Sequence, residues 1–138
     1  MRECVAALIV KNQEILLGQR SAERFFYPGV WDVFGGHIEP QESYQQALLR
    51  ELHEELGIIP TAWTQIEIFT EPDPAPHGEG QYIFFLVTAW NGTPTNRQLH
   101  EHARIEWFSL DQAVRLDLAH PSYAHIFTQL LTNEADKR

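Results

Sequence analysis

The sequence has one cysteine and no apolar run long enough to cross a bilayer. Cys4 stands alone, which excludes an internal disulfide and is typical of a reducing compartment. No apolar stretch approaches the roughly 18 residues of a membrane-spanning helix. Lys11, Asn12 and Gln13 interrupt the N-terminal apolar stretch, unlike the core of a signal peptide. We therefore expect a cytoplasmic protein that has no membrane partner.

Basic residues are also scarce. The chain has 10 Lys and Arg against 19 Asp and Glu, and its formal net charge is −9. A protein that binds the phosphate backbone of a nucleic acid needs a basic face, so we expect no nucleic acid polymer as a partner. The charge does not exclude a small anionic substrate, provided that a cation mediates the contact.

The sequence does contain enough apolar residues for a folded core. It has 138 residues, of which 43% are hydrophobic, and a chain of this length suits one domain. We predict a single domain over residues 1–138, and both a monomer and a homodimer stay open. Strand-like and helix-like segments are mixed, which predicts an α/β or α+β class with a sheet between helices.

Apolar periodicity and turn residues place the strands. Strands are predicted at CVAALIV, EILLGQR, WDVF, WTQIEIFTE, QYIFFLVTAW and IEWFSL. The apolar QYIFFLVTAW is predicted to be a central strand. Gly35 and Gly36 indicate a turn that ends the strand WDVF. Loops are predicted at SAERFFYPGV and PDPAPHGEG.

The longest predicted helix runs from Ser43 to Leu56. Ser43 and Gln46 are typical of a capping box at its start, and Gly57 is typical of a left-handed cap at its end. Two further helices are predicted at LDQAV and at PSYAHIFTQLLTNE.

The long helix has two adjacent faces of different character. A helix turns roughly 100° per residue. One side therefore carries Leu48, Leu49, Leu52 and Leu56, and the neighbouring side carries Glu51, Glu54 and Glu55. We expect the leucines to anchor the helix to the sheet, and we expect the small Ala47 to leave the carboxylate face open.

The three carboxylates are unfavourably placed unless they bind a cation. Each like-charge pair at such spacings destabilises a helix by roughly 0.2–0.5 kcal/mol. Glu54 and Glu55 also lie in the last turn, where the helix dipole favours cations. Arg50 offsets only part of this repulsion. A solvated acidic face is the simpler interpretation for an average helix, whereas a hard divalent cation such as Mg²⁺ or Mn²⁺ explains the cluster.

At these residues the sequence resembles the Nudix hydrolases. That family carries a box that reads G, five residues, E, seven residues, then R-E-U-x-E-E-x-G-U, where U is a bulky aliphatic residue. Its nine fixed positions are filled here by Gly36, Glu42, Arg50, Glu51, Leu52, Glu54, Glu55, Gly57 and Ile58. The match has no gap, so the signal is specific although the box covers about a sixth of the chain.

The resemblance implies a three-layer α/β/α sandwich with a mixed β-sheet, in a MutT-like minimal domain. It implies hydrolysis of the pyrophosphate linkage in a nucleoside diphosphate derivative, with Mg²⁺ or Mn²⁺ as the cofactor. Carried over by position, Glu51, Glu54 and Glu55 would be metal ligands, together with a backbone carbonyl of Gly35 or Gly36. The expected partner is a small-molecule nucleotide substrate.

The resemblance also implies roles for residues around these ligands. Arg50 would orient Glu51, and Glu42 would contact the metal site through water or brace the loop. The general base varies within the family, so Glu51, Glu54 and a glutamate on a distant loop are all candidates. Glu101 is the favoured distant candidate and Glu79 a second one. Surface charge is the simpler interpretation of both.

Two positions depart from the family pattern. Gln41 stands where the box loop usually has glycine, and Phe34 stands where many members have proline. Neither change removes a charged group, so we expect the loop to differ more than the chemistry.

The substrate is less constrained than the reaction. A nucleoside triphosphate, oxidised or not, is the favoured substrate and would give a monophosphate and pyrophosphate. Sugar nucleotides and dinucleoside polyphosphates are the alternatives. Two alternatives from other classes are a non-catalytic nucleotide-binding domain and an isopentenyl diphosphate isomerase. The isomerase chemistry needs a cysteine near WDVFGGH, and this segment has none.

Overall fold

The computed structural model describes residues 2–22, 29–71, 80–120 and 122–136. The predicted loops SAERFFYPGV and PDPAPHGEG therefore lie largely outside the described residues, and so do Glu79 and Pro121. The backbone groups into two compact units, one of residues 1–9 with 33–98 and one of residues 10–32 with 99–138.

The described residues form strands and helices at most of the predicted places. In chain order these are β1 (Arg2–Lys11), β2 (Glu14–Arg20), β3 (Trp31–Asp32), β4 (Phe34–His37), α1 (Tyr44–Leu56), β5 (Ile59–Glu71), β6 (Gly80–Asn91), β7 (His102–Ser109), α2 (Leu110–Ala113) and α3 (Ser122–Asp136).

The first unit has a mixed sheet. β1 pairs in parallel with β6 and antiparallel with β4, and β5 pairs antiparallel with β6. The apolar β6 therefore lies between two strands, as predicted for a central strand. β5 begins at Ile59, before the predicted start at Trp63. Proline cannot donate to a ladder, and the register of β5 is irregular between Pro60 and Ala62.

Gly35 and Gly36 lie within β4, so the predicted turn at these residues is wrong. Gly35 faces Ala6 and Gly36 faces Val5 in the antiparallel pair with β1. Gly35 has a φ of 151°, and a Cβ atom there would overlap the backbone carbonyl of Val5. Gly35 therefore allows two backbones to come close, which is a common use of glycine in strands.

α1 has the predicted start and end. The Ser43 side chain accepts a hydrogen bond from the Gln46 N–H, and the Gln46 side chain accepts one from the Ser43 N–H. Gly57 follows the helix with a φ of 73°, and its N–H donates to the carbonyl of His53. Local sequence signals therefore define both ends of this helix.

α1 packs on β4 and β5 through a wider surface than predicted. Leu48, Leu52 and Leu56 are fully buried, as expected for the leucine face. Ala47 is also fully buried and Glu55 is 4% exposed. The prediction that Ala47 leaves the carboxylate face open is therefore wrong, because the packing surface extends from the leucines around part of the acidic face.

The second unit is built on β2. β2 pairs antiparallel with both β3 and β7. Asp32 accepts hydrogen bonds from Arg20, at 3.2 Å, and from the Tyr123 hydroxyl, at 2.9 Å, which ties α3 to the strands. Asn12 and Gln13 have φ values of 55° and 64°, the conformation of a two-residue hairpin turn. None of the helices in the described part of the chain has the length and apolar character needed to cross a membrane.

Candidate metal and catalytic site

The three glutamates of α1 that are predicted as metal ligands differ in how deeply they are buried. Glu55 is buried at 4% exposure. The side chain of Glu51 is 14% exposed, and the side chain of Glu54 is 47% exposed. The helix therefore presents carboxylates from its packed side out to solvent, a gradient that helical periodicity alone does not reveal.

The buried carboxylate of Glu55 joins α1 to β4. Its Oε2 atom accepts a hydrogen bond from the Gly35 N–H at 2.9 Å. A buried charge is unfavourable without such a partner. This bond links the end of the helix to the strand that carries the predicted carbonyl ligands.

Gly36 makes room for the carboxylate of Glu51. A Cβ atom at Gly36 would lie 2.5 Å from Glu51 Oε1 and 2.6 Å from its Cδ. These separations are well below van der Waals contact, so the Glu51 carboxylate can occupy this position only because residue 36 has no side chain. β4 and α1 thus bring together Gly35, Gly36, Glu51 and Glu55.

Arg50 connects the carboxylates of the box to one another. Its Nε and Nη2 atoms donate to both oxygens of Glu42, at 2.7 and 2.9 Å. Its Nη1 atom donates to Glu51 Oε1 at 3.0 Å and lies 3.5 Å from Glu54 Oε2. Its Nη2 atom also donates to the His37 carbonyl at 3.0 Å. The planar guanidinium fixes several groups at once, which a lysine ammonium would not do.

The pKa values of this pair are displaced in opposite directions. The hydrogen bonds from Arg50 lower the pKa of Glu42 from 4.5 to about 2, and the hydrogen bond to Glu42 raises the pKa of Arg50 above its usual value. Both groups are therefore charged at neutral pH. One guanidinium faces the carboxylates of Glu42, Glu51 and Glu54, which leaves an excess of negative charge for a cation to neutralise.

The loop before α1 is held in shape by the same residues. The Glu42 carboxylate accepts a hydrogen bond from the Glu39 N–H at 3.0 Å, and the Glu42 N–H donates to the Glu39 carbonyl at 3.1 Å. Gln41 has a φ of 66°, a left-handed conformation that glycine adopts without strain. Gln41 therefore occupies the family's glycine position in the conformation that glycine favours.

Among the residues that the structure describes, Glu51, Glu54 and Glu55 do not form a set of three ligand atoms that all lie within 4.8 Å of one another. Glu101 belongs to the second unit, in the turn before β7, and its carbonyl accepts a hydrogen bond from the Ser21 N–H at 2.9 Å. The catalytic and metal-binding roles of these glutamates therefore stay predictions.

Sequence reasoning missed the segment that contacts the end of α1. The Thr95 N–H donates to the Leu56 carbonyl and the Arg97 N–H to the Glu55 carbonyl, both at 3.0 Å. The Arg97 guanidinium donates to the His53 carbonyl at 3.4 Å. These partners lie about 40 residues apart in the sequence, and no local pattern signals such a contact.

The arrangement of a glycine strand, an acidic helix and a bridging arginine defines a Nudix box. A family model described as "NUDIX domain" matches residues 1–130, and the chain belongs to this family. The chain is 38% identical over 125 residues to the CTP pyrophosphohydrolase of Escherichia coli strain K12, across 86% of this chain and 84% of that protein.

Two further similarities agree with this assignment. The 8-oxo-dGTP diphosphatase of Proteus vulgaris is 35% identical over 88 residues, which cover 64% of this chain and 76% of that protein. The solution structure of the E. coli ORF135 protein has a TM-score of 0.80 and 32% identity, across 99% of this chain and 92% of that chain.

The comparisons confirm the predicted family, fold class and type of activity. The fold is the Nudix α/β sandwich with a mixed sheet. The chain is a Nudix hydrolase, an enzyme that cleaves the pyrophosphate linkage of nucleotide derivatives. Nudix hydrolases depend on a divalent metal, and the acidic residues of α1 are in keeping with that requirement.

Proposed function

We propose that the chain hydrolyses a nucleoside triphosphate, ordinary or oxidised, to a nucleoside monophosphate and pyrophosphate. The observation that carries this proposal is the position of the Glu51 carboxylate, which lies next to Gly36 and accepts a hydrogen bond from Arg50. Glu51 lies on the same helix as Glu54 and Glu55. The similarity to a CTP pyrophosphohydrolase and to an 8-oxo-dGTP diphosphatase supports the choice of substrate class.

We propose that Mg²⁺ or Mn²⁺ binds to Glu51, Glu54, Glu55 and a backbone carbonyl of Gly35 or Gly36. The donors fit, because both ions prefer hard oxygen ligands and the carboxylates around Arg50 outnumber its single positive charge. When bound, such an ion neutralises the pyrophosphate and lowers the pKa of the attacking water.

The surrounding residues position these ligands. Arg50 holds the Glu51 carboxylate and is itself held by both oxygens of Glu42. We propose that Glu51, Glu54 or Glu101 accepts the proton of the attacking water. Among the glutamates of α1, Glu54 is the most exposed, at 47% for its side chain, so water reaches its carboxylate most readily. The pH dependence of kcat in single Gln variants distinguishes the candidates, because loss of the base removes one limb of the profile.

A phosphohydrolase screen tests the substrate class. The protein is incubated with nucleoside triphosphates, their oxidised forms, sugar nucleotides and dinucleoside polyphosphates, each with Mg²⁺ or Mn²⁺, and both products are identified. A monophosphate with pyrophosphate is expected. A sugar phosphate or a second nucleotide as the co-product would move the chain to one of the other substrate classes. Binding without turnover would indicate a non-catalytic domain. Isomerisation of isopentenyl diphosphate, tested in a parallel assay, would indicate an isomerase.

Metal removal and isotope labelling test the chemistry. Chelator should abolish turnover and Mg²⁺ or Mn²⁺ should restore it, whereas full activity in excess chelator would refute the metal site. Hydrolysis in ¹⁸O-labelled water should place the label in one product only, which identifies the phosphorus that water attacks.

We also propose that residues 1–138 act as a single Nudix domain in the cytoplasm on free nucleotides. A family model that matches residues 1–130 supports the single domain, and the net charge of −9 is unfavourable for a nucleic acid polymer as partner. Proteolysis that releases a stable fragment with activity would contradict the single domain.

A further inference from the structure

The segment after β6 donates hydrogen bonds to carbonyls in the last turn of α1. The N–H groups of Thr95 and Arg97 donate to the carbonyls of Leu56 and Glu55, and the Arg97 guanidinium donates to the carbonyl of His53. The last carbonyls of a helix have no partner within the helix. The two N–H donors satisfy the carbonyls of Leu56 and Glu55, and the guanidinium adds to the bond that the Gly57 N–H already makes to the carbonyl of His53.

Gly57 leaves the room in which the side chain of Arg97 lies. A Cβ atom at Gly57 would lie 3.0 Å from Arg97 Cδ and 3.3 Å from its Nη1. The glycine that ends α1 therefore has two functions, because its left-handed φ of 73° closes the helix and its missing side chain admits the arginine. The contact of the guanidinium with the helix end is thus part of how the cap is built.

The position of Arg97 matters for the charge of this turn. Glu54 and Glu55 add negative charge where the helix dipole is already negative, and terminal turns fray more readily than helix interiors. A guanidinium at the C-terminal end opposes both effects. Arg50 lies one turn before Glu54 and contacts the carboxylates of Glu42 and Glu51.

We infer that Arg97 is a positioning residue for the metal site. It holds the last turn of α1 and so keeps the carboxylates of Glu54 and Glu55 in the geometry that binds the ion. This inference rests on the proposed role of these glutamates as ligands. A carboxylate that must be ordered by the ion itself binds it more weakly, because ordering the turn opposes binding. Arg97 therefore raises metal affinity although its own charge repels a cation.

Binding of Mn²⁺ measured by electron paramagnetic resonance tests this role. The variants are Arg97→Gln, which removes the charge, and Arg97→Lys, which keeps it. Arg115→Gln is the control, because Arg115 is a 76% exposed side chain in the second unit whose i,i+4 ion pair with Asp111 is 3.6 Å long. We expect Arg97→Gln to weaken Mn²⁺ binding about three- to tenfold. This is no larger than the smallest losses, of about tenfold, seen when a residue that hydrogen-bonds a metal ligand is removed.

Arg97→Lys and Arg115→Gln show whether the loss of Mn²⁺ affinity is specific to the charge at Arg97. Arg97→Lys should fall between the native chain and Arg97→Gln, and Arg115→Gln should bind Mn²⁺ as the native chain does. The metal concentration for half-maximal turnover should rise in the same order, with a smaller change in kcat at saturating metal. Melting in chelator, measured on each protein, separates a loss of metal affinity from a loss of stability.

Several outcomes would overturn the inference. Unchanged or tighter Mn²⁺ binding by Arg97→Gln would show that only the repulsive charge was removed. An equal loss in Arg115→Gln would show a general effect of net charge. A lower melting temperature in chelator with native Mn²⁺ affinity would show a purely structural cap. If the native chain binds no Mn²⁺, the proposed function itself fails. If the native chain binds Mn²⁺ and Arg97→Gln binds it equally well, only the role of Arg97 fails.

Discussion

Glu55 provides a sharp test of the metal site, because its carboxylate has a structural contact and a proposed catalytic one. It is 4% exposed and accepts a hydrogen bond from the Gly35 N–H at 2.9 Å. Two substitutions separate these roles. Glu55→Gln keeps an oxygen that can accept this bond but removes the charge, whereas Glu55→Ala removes both.

The structure sets the size of the expected changes in stability without metal. Glu55→Ala leaves the Gly35 N–H without this acceptor, and an unsatisfied donor lowers the free energy of unfolding by about 1–3 kcal/mol. Glu55→Gln retains the bond and relieves the i,i+4 repulsion from Glu51, which is worth roughly 0.2–0.5 kcal/mol. We therefore expect Glu55→Gln to unfold in chelator within about 0.5 kcal/mol of the native chain.

The metal-linked part of the stability should respond differently. A ligand at 100 times its Kd stabilises the folded state by about 2.7 kcal/mol, and a tenfold weaker site at the same concentration gives about 1.4 kcal/mol. Urea unfolding with saturating Mg²⁺ and with chelator measures this difference for each protein. Glu55→Gln should lose about half or more of the metal-linked stabilisation and most of its turnover.

One result would refute this reasoning. If Glu55→Gln is less stable in chelator by more than about 1 kcal/mol and still turns over at the native rate, then the carboxylate is structural and the metal binds elsewhere. Mixed results are also informative, because loss of turnover with full metal-linked stabilisation would assign Glu55 a role other than metal binding.

Three further substitutions test features of the box. Gly36→Ala should fold but displace the Glu51 carboxylate, because the Cβ of the new alanine would lie 2.5 Å from Glu51 Oε1. The kcat of this variant should fall at least about tenfold. A native kcat would show that the carboxylate can shift without affecting catalysis. Gln41→Gly should raise the free energy of unfolding by about 0.5–1 kcal/mol, because φ is 66° and glycine relieves left-handed strain; a lower melting temperature would contradict this. The pKa of Glu42 is lowered from 4.5 to about 2, so its stabilising effect is present above pH 4.5 and is lost as the pH falls towards 2. Between pH 4.5 and pH 2, the free energy of unfolding, measured with urea, should therefore fall less in Glu42→Gln than in the native chain. Equal falls in the two proteins would exclude a stabilising role for the ion pair of Glu42 and Arg50.

Local features of the fold were predictable from the sequence. The capping box of Ser43 and Gln46 and the left-handed Gly57 depend on residues that are neighbours in the chain, so the bounds of α1 follow from local chemistry. The box spacing was equally informative, because a helix of known pitch places Glu51, Glu54 and Glu55 on one side whatever it packs against.

Features that depend on distant residues were not predictable. Gly35 and Gly36 indicated a turn, but they pair with β1, and a two-glycine segment carries no signal of its strand partner. Helical periodicity gave the direction of Ala47 but not the width of the surface that covers it. The contact of Arg97 with the end of α1 joins residues 44 positions apart. In each case the deciding partner lies beyond the window that periodicity and capping rules examine.

Because α1 carries its leucines and its carboxylates at neighbouring angles, the length of the box is as restrictive as its composition. A one-residue insertion or deletion just before Glu51 would rotate all later side chains by about 100°. Leu52 and Leu56, both fully buried, would turn away from the sheet, and the carboxylates would turn with them. Substitutions can alter affinity or rate by degrees, but a change of length would remove the core contact and the ligand set together. Tolerated insertions are therefore expected in surface loops, and not between Gly36 and Ile58.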